Sequence, residues 1–559
     1  MSARMQNWDA EAARRYHEAT KHSYESVYRS QFTLDWANQP LPYKLYTSLP
    51  PLPLPSPRDL PPSPLPLLEA IARTGDGLGG MHLPDLATLA RLCFYANGVT
   101  KRLRYPGGVM HFRAAACTGA LYHVELYLAC ADLPDLEAGL YHYGAHDHAL
   151  RRLRAGDYRD VLVRATGAEP AVALAPVVVI STSTFWRNAW KYQARAYRHT
   201  FWDTGTVLAN LLAVAAAQEL PARLVLGFAD EAVNRLLDVD ARREAAVSLV
   251  ALGRTGAPPP APPLAPLHLP VQPLSAREVR YSLIEMAHAA SSLASGADAA
   301  AWRGQAARAL TPGPPSPASL RSAPSPASGR GDGGEGRAEG TGRGQGVGAG
   351  PLVPLTPLPP AALPFDPPEP VIRRRGSARR FARRPITAAQ FATMLDRATR
   401  GVPADCLSDT GLALNDVYLI VHAVDGLAPG VYVFHPGELG ADAGAVGALE
   451  RLKSGEFRAA AGELALGQEL AADAAVNVYF LCDLEPVLAR FGNRGYRAAQ
   501  LEAAITAGRL YLAAYALGLG ATGLTFFDDD VTAFFAPHAA GKSVMFLIAL
   551  GHPLRGGLP

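Results

Sequence analysis

The chain has 559 residues, of which 49% are hydrophobic and 18% charged, and its formal net charge is +3. That length asks for at least two domains, and so small a charge argues against a nucleic-acid protein and against an acidic tail. Cys93, Cys117, Cys130, Cys406 and Cys482 are odd in number, widely spread and without a C-x-x-C pair, which speaks against a disulfide frame or a structural zinc site and fits a reducing compartment.

Residues 1–20 are charged and lack the apolar run of a signal peptide. No stretch reaches the roughly 18 apolar residues of a membrane helix, so a soluble, cytoplasmic protein with neither membrane nor nucleic-acid partner is expected. The predicted order begins with an N-terminal helix and arm, residues 1–66, whose proline-dense part at 40–66 is expected to wrap the surface in extended form.

A first domain, 67–255, opens on a helix at 83–96 and a strand at 124–130. Gly139-Leu140-Tyr141 follows twelve residues after Tyr127, and an apolar β-branched run at 175–180 comes next. Tyr197-Arg198 then precedes a long apolar helix, Leu226-Gly227-Phe228-Ala229-Asp230, and Ala251-Leu252-Gly253. His142, His146 and His148 share the hairpin without the Cys or Glu spacing of a metal site, so no metal is expected.

Residues 256–369 change character and read as a linker, with one helix at 275–294 and a disordered Gly, Pro, Ser and Arg stretch at 311–350. The second domain, 370–559, repeats the first. Gly430-Val431-Tyr432 follows twelve residues after Tyr418, then come Tyr496-Arg497, Leu524-Thr525-Phe526-Phe527-Asp528 and Ala549-Leu550-Gly551. Phe228 to Gly253 and Phe526 to Gly551 both span 25 residues. Several matched spacings in one order mark a duplication. The mixture of helices with hairpin-linked strands makes each copy α+β, a mixed or antiparallel sheet flanked by helices.

Two motif matches fail on context. Gly518 to Gly523 spells G-x-G-x-x-G but leads from helix into strand, the reverse of a dinucleotide fingerprint. Gly541-Lys542-Ser543 lacks the first glycine of a P-loop, since Ala536 stands there. The run Arg373 to Arg384 is different: seven of its twelve residues are arginine, and arginine forks with a serine hydroxyl suit a phosphate.

Arg375-x-Ser377-x-Arg379-x-Phe381 before a helix resembles the FMN-phosphate motif of nitroreductase-like flavoproteins. By that resemblance Arg375, Ser377 and Arg379 hold the phosphate and ribityl chain, with Gly376 where a second arginine is usual. In copy one, Arg113 to Tyr122 resembles the flavin-facing segment of the SagB/ThcOx branch, with Ala116 and Cys117 in place of its Pro and Ser. Trp190-Lys191-Tyr192-x-x-Arg195-x-Tyr197-Arg198-His199 resembles that branch's Lys-Tyr segment. The resemblance implies two tandem domains forming an intrachain pseudo-dimer, FMN as cofactor, and Arg113, Cys117, Thr118, Gly119, Thr525 and Phe526 as further cofactor contacts.

Copy two has nothing like Trp-Lys-Tyr at the matching place, where Arg494-Gly495-Tyr496 stands, and copy one has no Arg-x-Ser-x-Arg before its first helix. One composite site is therefore expected, with its phosphate clamp from copy two and its catalytic pair from copy one. The implied reaction is a two-electron dehydrogenation in which Tyr192, its pKa lowered by Lys191, removes a proton while hydride passes to the flavin. The implied substrate is an azoline in a ribosomally made peptide, which becomes an azole, with a cyclodehydratase as partner. Two readings stay open beside it: an NAD(P)H-dependent nitro- or quinone-type reductase of small molecules, and a degenerate, non-catalytic scaffold in a peptide-modifying complex. A homodimer of whole chains is compatible with each.

Overall fold

Residues 7–73, 81–105, 108–308, 352–407, 413–437 and 445–554 are described by the computed structural model. The stretch 311–350, expected to be disordered, lies outside them. Each copy builds one antiparallel sheet, and the two sheets have the same strand order. In copy one it runs Leu52–Pro53, Ala149–Ala155, Gly139–Gly144, Val124–Cys130, Val177–Thr184, Glu244–Leu252, Ala222–Val225. In copy two it runs Leu352–Pro354, Gly447–Ser454, Gly430–Pro436, Asp416–Val421, Val476–Cys482, Ser543–Pro553, with Gly520–Gly523 and one additional strand, Phe381–Ala382, both paired to Ser543–Pro553. Strands such as Val177–Thr184 and Val476–Cys482 are buried at every position, which is why they read as mostly β-branched and apolar runs without polar alternation.

The two sheets are joined by the long helices Ala196–Ala217 and Asn493–Ala516, which are buried nearly all round and carry buried charged groups among their apolar residues. They cross where Gly205 lies on Ala504 and Gly508 lies on Ala209. A Cβ on either glycine would come within 2.4 Å and 2.5 Å of the opposing alanine Cβ. In the repeat register Gly205 matches Ala504 and Ala209 matches Gly508, so each residue meets its own counterpart, as at a two-fold axis. The chain is a pseudo-dimer folded within itself.

The duplication reaches further than the sequence suggests. Beside the helix Glu11–Ala19, Arg198 donates to the carbonyl of His17 and to Thr20 Oγ1, and Arg195 donates to the carbonyl of Thr20. Beside the helix Ser282–Ala290, Arg497 makes the same bonds to the carbonyl of His288 and to Ser291 Oγ, and Arg494 to the carbonyl of Ser291. Both arms also add an edge strand, Leu52–Pro53 and Leu352–Pro354. The linker therefore contains copy two's own arm. Within 275–294 lies one helix, Ser282–Ala290, and a second helix, Gly296–Arg308, follows it. Polar identities at the capping positions, rather than apolar periodicity, carry that repeat, and only their contacts reveal it.

One aspartate per copy locks the halves together. Asp528 of copy two accepts from Arg195 at 3.0 Å and Arg198 at 2.6 Å, both of copy one, and from the His22 amide at 2.8 Å. Asp230 of copy one accepts from Arg494 at 2.6 Å and Arg497 at 2.8 Å, both of copy two, and from the Leu293 amide at 2.9 Å.

Glu502, on the second long helix, is buried beside the Asn415 amide (2.5 Å), and burial pushes its pKa from 4.5 up to about 7. The fold thus favours the protonated acid, a contribution that is whole below about pH 4.5 and is lost as pH rises through about 7. Glu502→Gln should remove a decline in stability between pH 5 and 8, on the order of 3 kcal/mol. Urea denaturation at a series of pH values checks this: equal slopes for wild type and variant would refute it.

Candidate active site

The antiparallel ribbon Val99–Tyr105 and Gly108–Arg113 delivers copy one's chain into the loop Ala114–Tyr122. Arg113 is buried with its head turned inward. Nη1 donates to the Val124 carbonyl at 3.3 Å and Nη2 to that of Pro42 at 2.6 Å, and the rings of Tyr43 and Tyr122 lie 5.2 Å and 5.3 Å from the guanidinium. Its side chain supports the loop from behind, and its buried Nε has no hydrogen-bond partner.

Asp203, from the first long helix, holds the front of the loop. Its Oδ1 accepts from the Thr118 amide at 2.9 Å and the Thr118 hydroxyl at 2.8 Å, and its Oδ2 from His123 Nε2 at 2.8 Å and the Cys117 thiol at 3.1 Å. His123 Nδ1 is 2.8 Å from Ser183 Oγ. Cys117, His123 and Asp203 bring metal-ligand-type atoms within 4.8 Å of one another, but all four acceptor directions of the carboxylate are already taken. Burial, followed by the Asp203 charge, pushes the Cys117 thiol's pKa well up, so it donates as a thiol. Neither Asp203 nor His123 was singled out from sequence. They lie apart along the chain, and only the fold brings both to Cys117.

Copy two meets this loop from the other side. After the helix Pro368–Arg374 the chain runs extended, Ser377 bridges Ala521 in parallel, and the Ala378 amide donates to the Ala521 carbonyl at 2.9 Å. Arg375 crosses to copy one, where its Nε donates to the Ala114 carbonyl at 3.0 Å. Tyr511 stacks under the Arg375 guanidinium at 5.6 Å and its hydroxyl accepts from the Gly523 amide at 2.5 Å. Ser377 and Arg379 are exposed at the rim. Phe526 is buried, 5.8 Å from Trp202, with the Arg195 guanidinium 5.5 Å from its ring.

Four buried donor atoms around this meeting place have no hydrogen-bond partner: Arg375 Nη1, Arg195 Nε and Nη2, and Thr525 Oγ1. Buried donors are nearly always satisfied, so several around one place imply a missing acceptor-rich ligand. Guanidinium groups from both copies, an aromatic floor and an open glycine rim suit a flat, anionic molecule.

Lys191 and Tyr192 end the helix Phe185–Tyr192, next to this loop. A Cβ on Gly119 would lie 2.7 Å from the Tyr192 hydroxyl, and His199 meets the Tyr192 ring edge-on at 4.6 Å. Gln193 follows with φ 49° and ψ −138°, a backbone region that favours glycine and is held at some cost. Its counterpart Gly492 has φ 62° and ψ −159°. The expected activation of Tyr192 is not there. Burial, then the charges of Asp203 and Cys117, push its pKa well above the usual 10. The Lys191 ammonium is exposed and 5.4 Å from the ring centre. In the register set by Arg195 and Arg494, the counterparts of Lys191 and Tyr192 are Arg490 and Phe491, not the Arg494-Gly495-Tyr496 stretch.

A family model described as Nitroreductase family matches residues 85–254 and 372–552, one stretch in each copy and together more than half of the chain. A Methanocaldococcus jannaschii protein described as a putative nitroreductase is 26% identical over 169 residues, 30% of this chain and 80% of that one. The crystal structure of a putative nitroreductase from Anabaena variabilis superimposes with a TM-score of 0.69 at 24% identity, covering 97% of this chain and 99% of that one. A more distant likeness, at 19% identity and TM-score 0.28 over 45% of this chain and 96% of the other, is to the Escherichia coli microcin synthetase complex, and says nothing about substrate here. Among the described residues no helix is long and apolar enough to cross a membrane.

Proposed function

This chain belongs to the nitroreductase family, and on that premise we propose that it is an FMN-dependent dehydrogenase of the SagB/ThcOx type, oxidising azolines to azoles in a ribosomally made peptide. The observation that carries the flavin site is the set of unpartnered buried donors on Arg375, Arg195 and Thr525. When bound, FMN supplies the two-electron acceptor. Arg375, with Ser377 and Arg379 at the rim, holds the phosphate through charge-assisted bonds. Arg195 and Thr525 take ring acceptors, and Phe526 with Trp202 makes an apolar floor that excludes water. Cys117, Thr118 and Gly119 line the loop that Asp203 fixes in front and Arg113 supports from behind. A cyclodehydratase that forms the azoline is the partner this chemistry requires.

Tyr192 is a neutral phenol at neutral pH, since burial, then the charges of Asp203 and Cys117, hold its pKa well above 10. To act as a base it must lose that proton, which needs the Lys191 ammonium to approach its oxygen or the pH to rise. The same observation favours a second reading, an NAD(P)H-dependent reductase of nitro or quinone compounds, in which NAD(P)H would supply the two electrons by way of the flavin and a neutral phenol delivers a proton to the reduced product.

The pH dependence separates the two. Dehydrogenation of an azoline peptide should rise with pH into the alkaline range, while nitro or quinone reduction should fall there, and Tyr192→Phe should abolish either dependence and lower turnover about 100-fold. The measurement is turnover with each substrate class on purified protein, beside its visible spectrum. A colourless protein that ignores added FMN would end the flavin reading. A Tyr192→Phe variant with wild-type rates would remove that residue from the chemistry.

A further inference from the structure

The pseudo-two-fold axis makes a second position, related to the proposed site by exchange of the copies. There Gly227 stands for Thr525, Arg494 for Arg195, and Phe491 for Tyr192. This position is filled by the protein itself. The helix Gly296–Arg308, which follows copy two's arm, inserts Trp302, a fully buried side chain. Trp302 packs on the Phe491 ring at 5.4 Å and donates to the Phe491 carbonyl at 2.9 Å. A Cβ on Gly227 would meet the Trp302 indole at 3.1 Å and the Asp405 carboxylate at 3.0 Å.

Polar groups are closed off in the same way. The Asp405 carboxylate, buried within a partly exposed residue, accepts from the amides of Leu226 and Gly227, each at 2.9 Å. Arg303 donates to the Gly227 carbonyl at 3.1 Å. Arg494 gives its Nε to the Leu226 carbonyl at 2.7 Å, whereas Nε of its counterpart Arg195 has no acceptor. The phosphate motif is missing too: Arg73 stands twelve residues before the helix cap Asp85, as Arg375 stands before Thr387, but it pairs with Glu69 and Glu219, and Gly75 and Gly77 take the places of Ser377 and Arg379.

We infer that the chain holds a single flavin, and that the helix Gly296–Arg308 is an internal plug whose Trp302 ring, with the Asp405 carboxylate, takes the place of the second one. This rests on the flavin reading above. The duplication kept its architecture, because two copies are needed to build one site, and turned the other site into a packed joint. A flat indole against Phe491, Gly227 and Arg494 fills the space that a flavin ring needs. A carboxylate on two backbone amides supplies the acceptors that ring carbonyls would offer.

The test is a titration of the flavin-free full chain with FMN, followed by quenching of flavin fluorescence, with released flavin counted per chain. Saturation at one FMN per chain is expected, and saturation at two overturns the inference while leaving the flavin reading intact. No binding at all ends the flavin reading, and this inference with it. Arg375→Ala should weaken that one equivalent roughly 10- to 150-fold without changing the count; a second equivalent appearing beside it would also overturn the inference. Trp302→Ala should lower the melting temperature and keep at least one equivalent of FMN. A loss of that equivalent would place Trp302 in the working site and refute the plug.

Discussion

Asp528→Ala should destabilise the flavin-free protein by about 3–5 kcal/mol. Arg195 and Arg198 are 5% and 0% exposed, and both direct Nη1 at the Asp528 carboxylate. Removing the carboxylate leaves two guanidinium charges buried at the junction of the copies, and such a charge cannot readily escape by losing a proton. The Asp528 pKa is held far below the usual carboxylate range; Arg198, then Arg195, outweigh the desolvation that would raise it. Its contribution is therefore complete at neutral pH and is lost only as pH falls through that depressed value. Asp230→Ala, which strips Arg494 and Arg497 in the same manner, should cost a similar amount. Guanidinium chloride denaturation followed by tryptophan fluorescence reads both. A cost below about 1 kcal/mol for each would mean that the aspartates do not lock the halves.

The contrast between these clamps and the active site explains how much the sequence could tell. Matched spacings, such as Phe228 to Gly253 against Phe526 to Gly551, revealed the two copies because each spacing is set by a strand and a helix whose lengths the sheet fixes. A composite site could be proposed from the sequence as well, since the arginine motif occurs once and the Lys-Tyr segment once. What sequence could not supply was partnership across distance. Asp203 has no local signal as the residue that orders Thr118 and Cys117, and Asp230 and Asp528 look like ordinary helix-starting acids. The arm in the linker was hidden because His17 and Thr20 match His288 and Ser291 only through what Arg198 and Arg497 reach. Tyr192 failed in the opposite direction. Its neighbour in sequence, Lys191, suggested a lowered pKa, but the exposed ammonium lies 5.4 Å from the ring centre, and burial, then Asp203, push the pKa up.

These particulars share one cause. In a dimer of identical chains every residue serves two sites at once, so a residue that helps one and harms the other cannot be chosen freely. Fusion lifts that constraint: Tyr192 can be kept while its counterpart becomes Phe491, and Gly227 can accept a plug where Thr525 stays open. The strongest asymmetry is the phosphate clamp, and it yields the second large effect.

Arg375→Ala should weaken FMN binding by roughly 10- to 150-fold, the effect of losing a charge-assisted bond worth about 1.5–3 kcal/mol. Arg375 is the clamp residue that reaches across the copies: its Nε is fixed on the Ala114 carbonyl at 3.0 Å while Nη1 is buried without an acceptor, which leaves one edge of the fork for a phosphate oxygen. Arg375→Lys keeps the charge but loses the fork, so it should recover only part of the affinity. Arg379 is exposed at the rim, and Arg379→Ala should cost less, since solvent screens it. Riboflavin, which lacks the phosphate, decides the cause. If Arg375 acts on the phosphate, its loss should weaken FMN and leave riboflavin binding nearly unchanged. If instead it only holds the Ala114 loop, both ligands should weaken alike, and the clamp would have to be assigned elsewhere. Isothermal titration of both ligands into wild type and the three variants separates these outcomes, and FMN affinity unaltered in Arg375→Ala would remove the clamp altogether.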